Sequence, residues 1–273
     1  MKKRVFLIFA AVFLAAVVLL ILYGNKRLTV TSHDVTSSNI PEAFDGCVIV
    51  QISDLHNARF GKDNTRLLAL IEAQQPDYIF VTGDVFDSRH TKLDVSVDFL
   101  ENAAKIAPLY YSPGNHESRL PEEYAALKAV PGITVLEDES IPLTRGENAV
   151  QLVGLCDPSF HHFGEYQTIT LLRNLAQEEM YTLVLSHPPE LFEGYCFTDA
   201  DLVFSGHAHG GQFRIPGLGG LYVPTRGFFP KYTEGIHRQD GTTMVVSRGL
   251  GNSLFPFRIM NPPDIVTVTL KHI

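Results

Sequence analysis

The chain has 273 residues, of which 45% are hydrophobic and 19% are charged, and its formal net charge at pH 7 is −8. This composition excludes a disordered or low-complexity protein, and the length allows one or two domains with a full hydrophobic core. The three cysteines are widely spaced and form no Cys-x-x-Cys pair, so they indicate neither a metal site nor a redox centre.

The first predicted element is an uncharged apolar stretch of 19 residues, 5–23. A helix of that length reaches roughly the 30 Å of a bilayer core, so we predict a transmembrane helix over 5–23 within a membrane anchor over 1–27. Three basic residues precede the stretch and two follow it, which favours a cytoplasmic N-terminus. The remaining domain, 28–273, is then expected on the extracytoplasmic side of the cell membrane. A cleaved signal peptide is the alternative, although Leu22-Tyr-Gly-Asn-Lys-Arg27 is a poor cleavage site.

The domain that follows the anchor is strongly acidic. Residues 28–273 contain 17 basic and 30 acidic residues, which gives a net charge of −13. Because such a domain repels phosphate backbones, we do not expect it to bind nucleic acid. A phosphate-ester substrate would need a local source of positive charge, and a metal would supply it.

After a short extended lead-in over 29–45, strands and helices alternate, and the second half is richer in strands. Strands are predicted at 47–52, 78–82, 109–112, 133–136, 149–155, 181–186, 202–205, 244–247 and 266–270. Helices are predicted at 64–74, 95–107, 121–129 and 168–178. No repeat or linker divides this pattern, which indicates one α/β domain with sheets in the middle and helices outside.

Five polar motifs each come directly after a predicted strand. They are Asp54-Leu-His56, Gly83-Asp84, Gly114-Asn-His-Glu117, Ser186-His187 and Gly206-His-Ala-His209. Strand carboxyl ends converge on one crevice in α/β sheets, so the five motifs predict one shared site. Each motif alone is equally typical of an ordinary turn or a surface histidine. Together, their carboxylates, amide and imidazoles suit a pair of divalent metals, with Asp84 bridging both through its two oxygens.

In this order the motifs resemble those of the calcineurin-like metallophosphoesterase superfamily, whose pattern is Asp-x-His, Gly-Asp, Gly-Asn-His-Asp/Glu, His and Gly-His-x-His. The resemblance covers about 47 to 212. The stretches 53–57 and 206–212 are similar to the small membrane-anchored bacterial phosphodiesterase branch. The resemblance implies a four-layer α/β/β/α sandwich, which in this chain follows the single N-terminal transmembrane helix.

The resemblance also implies a role for each motif residue. The ligands of the first metal would be Asp54, His56, Asp84 and His209. The ligands of the second would be Asp84, Asn115, His187 and His207. Manganese is the favoured cofactor, with iron, zinc or cobalt as alternatives. A hydroxide that bridges the two metals would attack phosphorus, and His116 would protonate the leaving oxygen.

Asp87 lies three residues after Asp84. In the purple acid phosphatase branch this position is a metal-binding tyrosine, so an aspartate argues against an Fe(III)–tyrosinate enzyme. In the protein-phosphatase branch it is an aspartate that orients the catalytic histidine, and the resemblance therefore assigns Asp87 to His116. The alternative is that Asp87 caps the following helix.

The function implied is a metal-dependent phosphodiesterase that acts on phosphodiester or diphosphate bonds. The nearby membrane favours a lipid-linked substrate. The alternatives are a phosphomonoesterase, a cyclic nucleotide phosphodiesterase and a non-catalytic scaffold, and the oligomeric state is not decided. Four phenylalanines in loops rich in proline and glycine, at 228, 229, 255 and 257, are expected to be buried anchors; a membrane-facing lip or substrate rim is the alternative.

Overall fold

The computed structural model describes residues 2–224, 226–252 and 254–273. The helices are α1 (Lys2–Lys26), α2 (Thr65–Glu72), α3 (Leu93–Ala103), α4 (Asn115–Arg119), α5 (Pro121–Lys128), α6 (Gly164–Leu175) and α7 (Phe192–Tyr195). The strands of the first half are β1 (Thr29–Ser37), β2 (Val48–Ile52), β3 (Tyr78–Thr82), β4 (Leu109–Ser112), β5 (Ile133–Val135), β6 (Glu139–Arg145) and β7 (Asn148–Gly154). The later strands are β8 (Thr182–Leu185), β9 (Leu202–Ser205), β10 (Arg214–Ile215), β11 (Gly219–Gly220), β12 (Tyr222–Val223), β13 (Gly227–Phe228), β14 (Gly235–Gln239), β15 (Thr242–Val246) and β16 (Asp264–His272).

Most strands belong to two six-stranded sheets. The first has the order β1-β16-β2-β3-β4-β5 and the second the order β14-β15-β9-β8-β7-β6. Strands β2 to β5 are parallel neighbours in the first sheet, and β7, β8, β9 and β15 are parallel neighbours in the second. Parallel strands end at the same edge of a sheet. The five polar motifs therefore leave the two sheets at two edges, one for each sheet.

Three hydrophobic cores separate four layers. Successive side chains of a strand point to opposite faces, so Ile79 of β3 packs in the core with α2 and α3, whereas Phe80 faces the second sheet. The rings of Phe80 and Phe204 meet between the sheets with centroids 5.2 Å apart. On the outer face of the second sheet, Val203 packs in a core with Leu172 of α6. This arrangement confirms the predicted α/β/β/α sandwich.

The segment 29–45, expected as an extended lead-in, begins with a full strand, β1, and contains a short 3-10 helix at Glu42–Phe44. β1 pairs in parallel with β16 along nine residues, so the beginning and the end of the domain are neighbouring strands of one sheet. Helix α1 begins earlier and ends later than the predicted 5–23, and it is long and apolar enough to cross a membrane. Only two residues separate it from β1.

Candidate metal centre

The five motifs meet where the edges of the two sheets face each other. The Nδ1–H of His187, which follows β8, donates to the carbonyl oxygen of Thr82 at the end of β3 over 2.7 Å. The backbone N–H of His207, which follows β9, donates to the carboxylate of Asp54, which follows β2. These bonds join the carboxyl ends of strands from both sheets, so the predicted residues form one buried cluster.

Asp54, His56 and His209 form the first group of candidate ligands. Their ligand atoms all lie within 4.8 Å of one another. Nε2 of His56 and Nε2 of His209 face each other at 3.2 Å, and Oδ1 of Asp54 lies 3.4 Å from the same His209 atom. The group contains three of the four residues expected at the first metal.

Asp84, His187 and His207 form the second group, again with ligand atoms within 4.8 Å of one another. Nε2 of His187 lies 3.2 Å from Nδ1 of His207 and 3.2 Å from Oδ2 of Asp84. Asn115, the remaining residue expected at the second metal, has its side-chain oxygen buried without a hydrogen-bond partner among the described residues. An unpaired buried oxygen is costly unless a ligand completes it.

Asp84 connects the two groups through one oxygen. Its Oδ2 lies 3.5 Å from Nε2 of His56 in the first group and 3.2 Å from Nε2 of His187 in the second. Its Oδ1 accepts the backbone N–H of His116 at 2.8 Å. The position between the groups agrees with the expected bridging role, but one oxygen faces both groups where the sequence suggested two.

The hydrogen bonds and charges of these residues fit divalent metals. Because Nδ1–H of His187 donates to a carbonyl, Nε2 is the nitrogen that a metal would bind, in exchange for the proton on that atom. Burial opposes ionisation of Asp54 and Asp84, but neighbouring histidines hold the pKa of each carboxyl below its usual range. Burial opposes the charged form of His187, yet Asp84 raises its pKa well above the usual value. Burial lowers the pKa of His209 to about 3. The cluster therefore offers ionised carboxylates and attracts positive charge.

The backbone holds most of the candidate ligands in an uncommon conformation. Five of the seven have a positive φ, between 44° and 62°: Asp54, His56, Asp84, His207 and His209. Non-glycine residues rarely adopt this region, and each such residue costs on the order of 1 kcal/mol or more. Strain of this kind persists only where the surrounding fold imposes it, and it concentrates at functional sites.

The glycines of the motifs provide room as well as conformation. Gly83 has a φ of 84°, and a Cβ there would lie 2.7 Å from Nδ1 of His187. Gly206 has no unusual φ, but a Cβ on it would collide with Oγ of Ser53 and Oδ2 of Asp54. At Gly206, close packing against Ser53 and Asp54 is therefore what requires a glycine.

His116 lies beside the cluster, with its ring centroid 4.6 Å from that of His56. The backbone N–H of Ser88 donates to Nδ1 of His116 at 2.8 Å, so the proton of the neutral ring is on Nε2. That atom lies 4.0 Å from Oδ2 of Asp84. Burial lowers the pKa of His116 to about 4. The ring can therefore present an N–H group to a ligand bound next to Asp84.

Asp87 lies close to His116 but is engaged mainly by Arg89. Oδ1 of Asp87 lies 3.5 Å from Nδ1 of His116, and it accepts the backbone N–H of Arg89 at 2.9 Å. The Arg89 guanidinium donates to both carboxylate oxygens at 3.1 and 3.0 Å. Helix α3 begins only at Leu93, so Asp87 does not cap it. Its proposed role towards His116 stays a prediction.

The sequence analysis assigned no role to two buried charged residues at the site. Glu117 accepts backbone N–H groups from Asp84, Val85 and Gly114 at 2.8 to 2.9 Å, and thereby ties two of the motif loops together. Burial, together with Asp84, raises the pKa of Glu117 to about 7. The glutamate belongs to the Gly-Asn-His-Glu motif, so its presence there was the available signal.

Arg258 is the second of these residues. It is fully buried, and its guanidinium lies 3.3 Å from Nδ1 of His209 and donates to the carbonyl oxygens of Arg248 and Gly251. Burial lowers the pKa of Arg258 to about 10, which still leaves it charged at pH 7. It lies far along the chain from the last motif, and no local pattern marks it.

A cavity of about 220 Å³ opens beside the two groups. Its lining includes basic and hydrogen-bonding side chains: Arg89, Asn115, His116, Arg119, His207, His209 and Gln212. It also includes apolar and aromatic side chains: Ala208, Tyr222, Val223, Pro224, Leu254 and Phe255. The cavity therefore suits a ligand with an anionic part and an apolar part.

Comparison with known proteins agrees with this site. The calcineurin-like phosphoesterase family matches residues 47–211, which contain all seven candidate ligands. The chain is 29% identical over 263 residues to YkuE of Bacillus subtilis, an uncharacterized metallophosphoesterase, with 91% of this chain and 90% of the relative covered. It is 28% identical over 230 residues to the phosphodiesterase YaeI of Escherichia coli, with 81% of each chain covered. A transmembrane protein with a metallophosphoesterase domain from Danio rerio is 26% identical over 256 residues, covering 89% of this chain and 57% of the relative. This chain belongs to the calcineurin-like phosphoesterase family and is a metal-dependent hydrolase of phosphoester bonds.

Proposed function

We propose that this phosphoesterase hydrolyses phosphodiester or diphosphate bonds with the help of two divalent metal ions, with manganese favoured over iron, zinc or cobalt. The observation that carries the proposal is the pair of ligand groups on either side of Oδ2 of Asp84. Asp54, His56, Asp84 and His209 would hold one ion. Asp84, Asn115, His187 and His207 would hold the other.

When bound, the ions offset the negative charge of a phosphoryl group and lower the pKa of a bound water towards neutrality. The protein positions the rest of the reaction. The basic side chains of Arg89 and Arg119 line the cavity together with His116, and they can orient the anionic part of a substrate. Nε2–H of His116 is the donor proposed to give its proton to the leaving oxygen.

Asp87 is proposed as a positioning residue for His116. Ser88 N–H donates to Nδ1 of the neutral ring, and Oδ1 of Asp87 lies 3.5 Å from the same atom. Protonation of the ring places a proton on Nδ1, which the Asp87 carboxylate can accept in place of the Ser88 bond, so the charge of Asp87 favours the protonated ring. Asp87 is thus expected to act on the proton-donating strength of His116.

The lining of the cavity favours a diester over a monoester. A phosphodiester has two organic substituents, and the apolar lining residues Tyr222, Val223, Pro224, Leu254 and Phe255 offer contacts for one of them. A substituent with lipid character fits this surface best. We therefore propose a lipid-linked phosphate ester as the substrate.

The N-terminal segment 1–27 is proposed as an uncleaved single-pass anchor in the cell membrane, with the catalytic domain 28–273 on the extracytoplasmic side. Two observations support a membrane anchor. Helix α1 is long and apolar enough to span a bilayer, and the similar Danio rerio protein is named as a transmembrane protein. The basic residues before the apolar stretch support the placement of the catalytic domain on the extracytoplasmic side.

The test uses the full chain in detergent, stripped of metal and reloaded with manganese. Hydrolysis of bis(4-nitrophenyl) phosphate is compared with that of 4-nitrophenyl phosphate. Asp84→Asn is the variant that should lose activity. Asp98→Asn makes the same change at an exposed position on α3 and should retain it.

Faster cleavage of the diester, lost only in Asp84→Asn, would support the proposal. Faster cleavage of the monoester would keep the metal site and make the protein a phosphomonoesterase. Absence of activity with each of the candidate divalent metals would favour the non-catalytic scaffold instead.

A further inference from the structure

Three large apolar side chains next to the cavity are exposed to solvent. Phe228, Phe229 and Leu254 are 71%, 56% and 55% exposed, and we call this set the apolar lip. Both phenylalanines were expected to be buried loop anchors, so the structure reverses that expectation for them. Phe229 also has a φ of 52°, so the fold exposes this ring in a strained conformation.

The apolar lip is in contact with apolar and aromatic residues that line the cavity. The ring of Phe228 packs 5.2 Å from that of Tyr222, whose ring lies 6.0 Å from that of Phe255. Tyr222, Leu254 and Phe255 all line the cavity. An apolar surface therefore runs from the wall of the cavity to the exposed lip.

The same region is attached to the end of helix α1. Nδ2 of Asn252 donates to Oδ1 of Asn25 at 2.7 Å and to the carbonyl oxygen of Pro256 at 3.1 Å. A Cβ on Gly24 would collide with the carbonyl oxygen of Arg258. Asn252 and Arg258, which stand on either side of Leu254 in the chain, thus pack directly against the residues that follow the apolar stretch 5–23.

This contact fixes where the apolar lip lies relative to a bilayer. If α1 spans the membrane, residues 24 to 27 lie at its surface, because the apolar stretch fills the hydrocarbon core. Asn252 and Arg258 then lie at the same level, and Leu254 lies close to them in the chain. Exposed aromatic and leucine side chains are the residues that enter the interface between the headgroups and the acyl chains.

We infer that the apolar lip inserts into the lipid surface next to α1, so that the cavity opens towards the membrane. This inference rests on the membrane anchor proposed above and is independent of the choice between diester and monoester. The net charge of −13 over residues 28–273 disfavours attraction of the whole domain to an anionic surface. Apolar contact between the lip and the lipid is therefore the interaction that would hold this face of the domain at the membrane surface.

The chain contains no tryptophan, so a single introduced indole reports its own surroundings. The reporters are Phe228→Trp and, as a second position, Leu254→Trp. The matched control is Phe197→Trp, because Phe197 is also 71% exposed but precedes β9, at the sheet edge opposite the metal site. Each full-length variant is reconstituted into phosphatidylcholine vesicles with and without brominated acyl chains, and flotation measures how much protein is anchored.

Both lip indoles are expected to emit at shorter wavelength in vesicles than in urea-containing buffer without detergent. Their emission intensity is expected to be lower in vesicles with brominated acyl chains than in vesicles without them. The indole at position 197 should lose little emission intensity in the brominated vesicles. Equal quenching at 197 and at both lip positions in floating protein would overturn the inference and leave the anchor standing.

Two further outcomes would also overturn it. Lip indoles that are shielded from iodide in solution but not quenched by bromine would show that another copy of the chain covers the lip. Failure of every variant to float would refute the anchor on which the inference rests. A diester activity measured in the same samples would be unaffected by either result, so the two proposals fail separately.

Discussion

Asp84 and His116 are neighbours with different expected roles, the first in binding metal and the second in donating a proton. Oδ2 of Asp84 lies between the two groups of candidate ligands, and removing its charge should weaken both metal sites. We therefore expect Asp84→Asn to lose activity and to retain less metal after dialysis, as measured by elemental analysis. Full metal content in an inactive Asp84→Asn variant would contradict the bridging role.

His116→Ala is expected to show the opposite pattern. The ring is held by Ser88 and presents its N–H beside Asp84, and no expected ligand bond is lost when it is removed. Loss of a proton donor typically lowers a rate by about 100- to 10,000-fold. We expect a decrease of that order in kcat for the diester, with metal content unchanged. If metal is lost together with activity, His116 is a ligand.

Glu117 is expected to matter for stability. Its two carboxylate oxygens accept three backbone N–H groups, from Asp84, Val85 and Gly114, whereas a glutamine offers only one oxygen. At least one buried N–H group would then face an NH2 group, at a cost of roughly 1–3 kcal/mol. We expect a lower Tm for Glu117→Gln by thermal denaturation of the metal-free protein. Glu147→Gln, at an exposed turn, is the control and should leave Tm nearly unchanged.

At the scale of elements, strand ends carry the site and glycines let them approach each other. A Cβ at position 206 would strike Ser53 and Asp54, so Gly206→Ala should displace Asp54 from the first ligand group. The expected outcome is loss of metal and activity with the circular dichroism of the sheets retained. Gly146→Ala is the comparison, because its Cβ would meet open space despite a φ of 60°. Metal loss in both variants alike would show a general effect of strain.

The elements that the sequence predicted best are those with a long apolar pattern. Strand β9 was predicted with its observed bounds because it is an apolar run that ends at a polar motif, and α5 differs from its predicted range by one residue because Pro121 marks its first turn. Helix α4 and strands β10 to β13 were not predicted, since two-residue strands and a polar five-residue helix carry no apolar run or period. β6 was missed as well; Pro142 interrupts its pattern, and a proline is tolerated there because β6 is an edge strand.

The residues of the candidate site differ in the same way: some stand in a local sequence pattern, and others are placed only by tertiary structure. The ligands were found because they stand in short motifs directly after strands, and the order of the motifs is distinctive. Arg258 was not found because its place beside His209 depends on the path of the chain after β15. The exposure of Phe228 also depends on tertiary structure, since an aromatic residue in a loop can be buried or exposed with the same local sequence.

At the scale of the whole molecule, the N-terminal segment and the domain that follows it carry net charges of opposite sign. The segment 1–27 contains five basic and no acidic residues, whereas the remainder has a net charge of −13. β1 pairs with β16, so the strand nearest the membrane is tied to the end of the domain. With α1 in the membrane, as proposed, the catalytic domain would be held as one unit close to the surface.

The side of the membrane on which the domain lies depends on a small difference in charge, which makes it testable. Lys2, Lys3 and Arg4 precede the apolar stretch and Lys26 and Arg27 follow it. Because basic residues are retained on the cytoplasmic side, we expect protease added to intact bacterial protoplasts to degrade the domain 28–273. Replacing the first three basic residues with glutamine leaves only the later two, and this variant should become protected in part or in full. A cytoplasmic marker protein that stays intact shows that the protoplasts are sealed. Protection of the unchanged chain under those conditions would place the catalytic domain in the cytoplasm, where the metal site would act on a substrate at the inner surface of the same membrane.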